Sequence, residues 1–205
     1  MKKNIIILCV LSVLFSCNSE GKRALIGKTE YQQKLNASYK DASTSPLKKK
    51  DLKGFKGLDF FPVDSTFIVI AKLVKTVNAP TFEMATNTDR KPLYKEYGTL
   101  NFTLKGKACE LTIYRSQDDL RDEKYKDYLF LPFTDATSSN ESYGGGRYMD
   151  VLTTSENADG TIELNFNNTY NPYCAYNAKY SCPLTPRKNH LEIEIKAGIM
   201  VFEKH

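Results

Sequence analysis

The chain has 205 residues, a formal charge of +5, 41% hydrophobic residues and 26% charged ones. That is enough chain for one domain with a real core. The charge excess is too mild, and basic–aromatic motifs too absent, for a nucleic-acid partner. With 13 Tyr, 11 Phe and no Trp, the aromatic bias favours β-structure and polar binding surfaces.

Met1-Lys2-Lys3-Asn4 is a short basic lead, and Ile5 to Phe15 is an apolar run. The run is shorter than the about 20 apolar residues that a membrane span needs, so it reads as an export signal. It ends in Leu14-Phe15-Ser16-Cys17, which resembles the lipobox of bacterial lipoproteins, with Phe15 bulkier than usual. The resemblance implies a signal peptide over residues 1–16, cut before Cys17, and acyl chains on that cysteine. Two or three such chains anchor stably where one would not. The expected location is the cell envelope, lipid-anchored at the outer membrane, on its periplasmic or surface face. Residues 17–28 form a polar tether, and 29–205 a single domain. Lys48-Lys49-Lys50, Lys53 and Lys56 near its start form a solvated face or a contact for anionic headgroups.

Thr29 to Lys40 predicts a helix: Tyr31, Leu35 and Tyr39 recur every fourth residue and Thr29 is a suitable cap. Ser45-Pro46-Leu47 interrupts it, and Lys48 to Phe55 adds a helical turn or two. Thr66 to Lys75 predicts a strand, with Phe67-Ile68-Val69-Ile70 continuous enough to be buried on both faces. Thr81 to Thr86 and Gly98 to Leu104 follow as strands. Lys105-Gly106 is a hairpin turn into Ala108 to Tyr114. Asp118 to Asp127 is loop or short helix, and Tyr128 to Leu131 a strand. Arg147 to Leu152 and Thr161 to Phe166 flank Asp159-Gly160 and predict a hairpin. Leu191 to Lys196 alternates as a half-exposed strand, and Val201-Phe202 adds a last short one. The fold class expected is mainly β with an N-terminal helix (α+β): an antiparallel sandwich, roll or barrel.

Cys9 leaves with the signal and Cys17 is the lipidation site, so Cys109, Cys174 and Cys182 remain. Cys109 falls on the apolar side of a strand and is expected as a buried free thiol. Cys174 and Cys182 lie close in one loop and are expected to form a disulfide, worth about 2–3 kcal/mol for so short a loop. The other reading makes them metal ligands with His190 and Asp135, although their spacing is not that of a zinc knuckle.

Two segments depart from strand and turn. Pro132 to Tyr148 places Asp135, Thr137, Glu141, Tyr143, Arg147 and Tyr148 around Gly144-Gly145-Gly146. The glycines lack the lysine and hydroxyl residue of a phosphate loop, and no dinucleotide fingerprint exists, so no cofactor is expected. Asn165 to Leu184 is packed with Asn and Tyr, which either staple a long loop or line a polar pocket.

The two segments also carry a resemblance. Phe133-Thr134-Asp135-Ala136-Thr137, Tyr143-Gly144-Gly145-Gly146-Arg147-Tyr148, Phe166-Asn167 with Tyr170-Asn171-Pro172 and Cys174-Ala175-Tyr176, and Cys182-Pro183-Leu184 with Pro186 resemble the family of domains of unknown function numbered 1684. Ser45-Pro46-Leu47, Gly57-Leu58 and Phe60-Phe61-Pro62 resemble its N-terminal part, so that the likeness runs from about Glu30 to Lys204. This chain has Asn165, His190 and Ile199 where the family pattern commonly has Asp, Arg and Glu. The resemblance implies no established activity.

Three functions follow as expectations. The first is a non-catalytic envelope lipoprotein that binds a small polar ligand or an envelope protein, using Tyr143, Arg147, Tyr148, Asn167, Tyr170, Asn171 and Tyr176. The second is a hydrolase with Asp135 and Glu141 as acid and base and Arg147 steadying an anion. The third is a metal site on Cys174, Cys182 and His190. Convergence of these side chains on one open concavity would mark a site; mutual satisfaction away from solvent would mark a structural network.

Overall fold

The computed structural model describes residues 27–202. The signal segment, Cys9, the lipobox with Cys17 and most of the tether lie outside the described residues, as do 203–205. No helix among the described residues is long and apolar enough to cross a membrane.

Helix α1 runs from Glu30 to Lys40, as predicted, and its start is chemically specified. Thr29 Oγ1 accepts from Gln32 N–H at 3.2 Å while Gln32 Oε1 accepts from Thr29 N–H at 3.5 Å, a reciprocal capping box. Helix α2 is a single turn, Lys49–Lys53. Eight strands follow: β1 Ile68–Lys75, β2 Phe82–Glu83, β3 Leu93–Leu104, β4 Lys107–Ser116, β5 Tyr128–Asp135, β6 Arg147–Leu152, β7 Thr161–Asn165 and β8 His190–Leu191. They form one sheet in the order β6-β5-β4-β3-β1-β7, with β2 added to β3 and β8 lying parallel to β5. The sheet is otherwise antiparallel and curls into a half-barrel, a β-rich α+β fold.

The β3–β4 hairpin forms where predicted. Lys105 (φ 49°) and Gly106 (φ 75°) are both left-handed, the two-residue turn whose twist matches its strands. From β4 to β5 the ladder thins to one pair, Tyr114 with Phe130. There Asn189 acts as a splint. Its amide donates to the Thr112 and Pro132 carbonyls, both at 2.7 Å, and its oxygen accepts from Thr112 N–H at 2.9 Å.

The main core fills the inner face of the sheet: Leu100, Leu111, Ile113, Leu129, Leu131, Phe133, Ile162, Leu164 and Phe166 are sealed from water, together with Ile195 and Ala197 of the C-terminal segment. A second apolar cluster joins Tyr39 of α1 to Leu47, Leu58, Phe60, Tyr176 and Ile199. This cluster packs α1 against the 47–60 segment, the Tyr176 loop and the C-terminal segment.

The structure corrects several expectations. Phe67 lies in a 3-10 turn, and β1 is buried on one face only; Ile70 is 57% exposed. Among the described residues the two α-helices are too few to cover the outer face. β6 and β7 do not form a hairpin: β6 pairs with β5 and β7 with β1, at opposite edges of the sheet. The segment 192–196 keeps its alternating burial but is not a strand, and Val201-Phe202 is irregular. Cys109 is free but only half-buried, packed on the rim of the core. Cys174 and Cys182 are free thiols, not a disulfide.

Candidate functional site

The β5–β6 hairpin decides which side chains meet solvent. Successive residues of a strand point to opposite faces. In β6, Arg147, Met149 and Val151 are buried on the core side; Tyr148 and Asp150 belong to the other face. In β5, Leu129, Leu131 and Phe133 join the core, while Tyr128 and Phe130 share the face of Asp150.

On the inner side, Asp135 (2% exposed) and Arg147 (1% exposed) form a sealed network. Arg147 Nη2 donates to Asp135 Oδ2 at 2.7 Å and to the Ile195 carbonyl at 2.8 Å. Its Nη1 donates to the Ala197 carbonyl at 2.6 Å and the Ile199 carbonyl at 3.3 Å. The guanidinium lies over the ring of Phe133 at 5.3 Å and that of Phe61 at 5.8 Å. Asp135 also accepts from Ile195 N–H at 2.9 Å and from the Thr137 hydroxyl at 2.7 Å. Burial pulls the Arg147 pKa down, and the Asp135 charge opposes that pull. Gly146 permits this approach: its φ is +92°, and a Cβ there would stand 2.6 Å from the Phe133 carbonyl oxygen. The pair explains the irregular tail, because carbonyls that would pair with a neighbouring strand are consumed by one arginine.

Glu141 does not join Asp135; it pairs with exposed Lys196 at 3.1 Å. Asn167 is spent on Asp64, accepting from its N–H at 3.0 Å and donating to its carbonyl at 2.9 Å. Asn171 donates to the Met200 carbonyl at 2.8 Å, and Tyr176 is buried beside Tyr39. His190 bonds Thr134 at 2.9 Å. Among the described residues no three His, Cys, Asp or Glu side chains gather as a metal site requires.

The open concavity lies on the other face. It is a cleft of about 630 Å³. Its floor is Tyr128, Phe130, Tyr148 and Asp150 of the β5–β6 hairpin, with Tyr94 of β3 beside them. One wall is α1, through Tyr31, Lys34, Leu35 and Ser38. The opposite wall is the 170–183 loop, through Tyr170, Tyr173, Tyr180 and Cys182. Tyr148 and Tyr170 exchange both backbone hydrogen bonds, 2.8 and 3.0 Å, which fixes that wall to the floor. The rings pack edge to face along the floor: Phe130–Tyr148 at 4.7 Å and 82°, Tyr148–Tyr170 at 5.8 Å and 88°.

Asp150 is the one carboxylate in the lining. Its surface is exposed through the cleft, while aromatic side chains crowd it from the floor and walls. Desolvation by that crowding pushes its pKa up, and hydrogen bonds from Tyr128 and Tyr170 oppose the rise. The Tyr170 hydroxyl donates to Asp150 Oδ1. Burial, then the Asp150 charge, holds the Tyr170 phenol far above its ordinary range, and the same two causes raise Tyr128 and Tyr31. All three are therefore protonated donors at neutral pH. No cation of the described residues is paired with Asp150.

At the cleft edge, Cys174 N–H donates to Cys182 Sγ at 3.2 Å. A hydrogen bond from Cys182 pulls the Cys174 thiol down to about 7; burial opposes it, and a hydrogen bond with Tyr143 helps. The same contact, with burial, pushes the Cys182 thiol up.

Of the residues singled out from sequence, the structure places Tyr148 and Tyr170 in the cleft and Tyr143 beside the thiols at its edge. Asp135, Arg147, Asn167, Asn171 and Tyr176 are within the fold. Sequence reasoning missed Tyr31, Tyr94, Tyr128, Asp150, Tyr173 and Tyr180. One signal was available: Tyr148 and Asp150 share a strand parity opposite to Arg147, and an acid on that face of an otherwise apolar strand needs a reason.

A family model described as "Protein of unknown function (DUF1684)" matches residues 53–200. No curated protein matches. Among solved structures, the solution NMR structure of an uncharacterised protein from Haloarcula marismortui is similar, with 32% identity over 84% of this chain and 91% of that one, and a TM-score of 0.65.

Proposed function

The chain belongs to the DUF1684 family of proteins of unknown function, and from that premise we propose that its domain is a ligand-binding module whose site is the tyrosine cleft. The observation that carries this reading is Asp150: the one carboxylate lining an open aromatic cavity, solvent-accessible, bonded by the Tyr170 phenol and paired with no cation of the described residues. A charge kept in an aromatic pocket costs stability unless something pairs with it, and such groups concentrate at functional sites. The cavity volume suits a small organic molecule. A hydrolytic site on Asp135, Glu141 and Arg147 is less well supported, since the first and last are sealed and leave no room for substrate.

The test is a fragment titration followed by amide chemical shifts of the full chain. Binding is expected to move Tyr148, Asp150, Tyr170 and Tyr180 together and to weaken in Tyr170→Ala. Shifts that map elsewhere, or a cleft that stays silent across the library, overturn the proposal.

The module is further proposed to be presented on a membrane through acylated Cys17, from the lipobox-like Leu14-Phe15-Ser16-Cys17. Labelled palmitate should enter the wild-type chain and not Cys17→Ser. Equal labelling of both would remove the anchor.

A further inference from the structure

The cleft has a chemical preference written into its lining, and the inference below rests on the cleft being the ligand site. We propose that the ligand is an organic cation, an amine or quaternary ammonium with an apolar body, whose charge sits against Asp150 among the tyrosine rings.

Three observations converge on that class. The first is charge. Asp150 is the one carboxylate lining the cavity, and the one lysine of the lining, Lys34, is paired with Glu30 at 2.6 Å across exposed helix surface. An anionic ligand would meet Asp150 at the floor; a cation would meet an unneutralised partner. The second is hydrogen-bonding capacity. A carboxylate has about four acceptor positions, and the Tyr170 phenol uses one of them, with Tyr128 beside it in the lining. The remaining positions have room for an N–H donor or for the close approach of a methylated ammonium. The third is the wall chemistry. Aromatic side chains dominate the lining, with Phe130 and Tyr148 at 82° and Tyr148 and Tyr170 at 88°. Ring faces attract cations, most strongly where water is excluded.

The same features argue against a metal ion. One carboxylate and protonated phenols make a poor coordination set, and no three acid, histidine or cysteine side chains gather there among the described residues. They also argue against a neutral sugar, since no Asn or Gln side chain of the described residues lines the cleft.

The site also predicts how pH acts. The cation requires ionised Asp150, and burial favours the protonated acid. Binding therefore strengthens as pH rises through the raised value of Asp150.

The experiment uses isosteric pairs on the purified full chain, by calorimetry with amide shifts as the map. The pairs are choline with 3,3-dimethylbutan-1-ol, and 4-phenylbutylamine with 4-phenylbutan-1-ol. At pH 8 each cation is expected to bind about tenfold or more tightly than its neutral partner, with shifts at Asp150 and Tyr170. Lowering the pH through the raised value of Asp150 should shrink the difference. Asp150→Asn should bring the cation down to the level of the alcohol while leaving the alcohol unchanged. Tyr128→Phe, a milder variant, should weaken the cation less. Equal binding within both pairs overturns the charge preference and leaves the cleft as a site. Cleft shifts with neutral fragments alone do the same. No cleft shift with any of these compounds or with the library overturns the ligand site itself.

Discussion

Two carboxylates stand on one hairpin, and their neighbours make them opposites. Asp135 ends β5 and faces inward, where an arginine, a hydroxyl and backbone N–H groups saturate it. Asp150 lies in β6 and faces outward, where it has two phenols and a cavity. The first shows what a buried acid looks like when it holds a fold together: every position is occupied and the counter-charge is in contact. The second shows an acid whose surroundings are incomplete without something further. Burial alone would have ranked Asp135 as the more unusual residue; the unfilled partner positions distinguish Asp150.

That contrast can be broken by substitution. The largest effect is expected from Asp135→Asn, which strands a buried guanidinium and should cost about 3–5 kcal/mol in denaturant unfolding. A loss below about 1 kcal/mol would mean that Arg147 finds solvent and that the network is not sealed. Asn189→Ala comes next. It removes the splint between β4 and β5 and leaves Thr112 and Pro132 without their partner, for about 2–3 kcal/mol. Faster amide exchange at Thr112 should accompany it.

Asp150→Asn should act in the opposite direction. A carboxyl whose pKa is raised by folding favours the folded state at low pH, and that contribution is lost as pH rises through the raised value. The wild type is thus burdened at pH 8 and unburdened near pH 3. The asparagine variant should melt higher than wild type at pH 8 and no higher at pH 3. A melting point lowered at both would make Asp150 a structural acid like Asp135, and the comparison would collapse. The smallest effect concerns the thiols. Alkylation of Cys174 should rise through a midpoint of about 7, while Cys109 and Cys182, both raised, respond at higher pH. Cys182→Ser should move the Cys174 midpoint. A Cys174 that refuses alkylation until a reductant is added would mean a disulfide in the isolated protein.

Much of the fold was legible because it is local. Thr29 with Gln32 announces α1, and Lys105-Gly106 permits only a tight hairpin. Asp159-Gly160 looked equally clear and misled. β7 finds its partner in β1, a strand about ninety residues earlier, and long-range pairing overrode the local turn. The family likeness was legible through the motifs between Phe133 and Pro186, and it extends through the matched residues 53–200. The cleft was not legible. Tyr31, Tyr94, Tyr128, Asp150 and Tyr180 come from five separate stretches, and only the packing of α1 and the 170–183 loop over the sheet brings them together. The Asn and Tyr of the 165–184 loop drew attention as one group, yet they divide: the amides tie the backbone while several of the rings line the cavity.

Arg147 grips the C-terminal segment through carbonyls of residues 195, 197 and 199, and through no side chain of that segment. Such a grip is blind to what those residues carry outward. Glu194 and Lys196 stand exposed on either side of the clamped Ile195, so their identities are free to drift while the path of the chain is kept. Over evolutionary time the tail of this fold can therefore change its surface charge without renegotiating its attachment. A single arginine on β6 supplies that freedom, and its own replacement would end it.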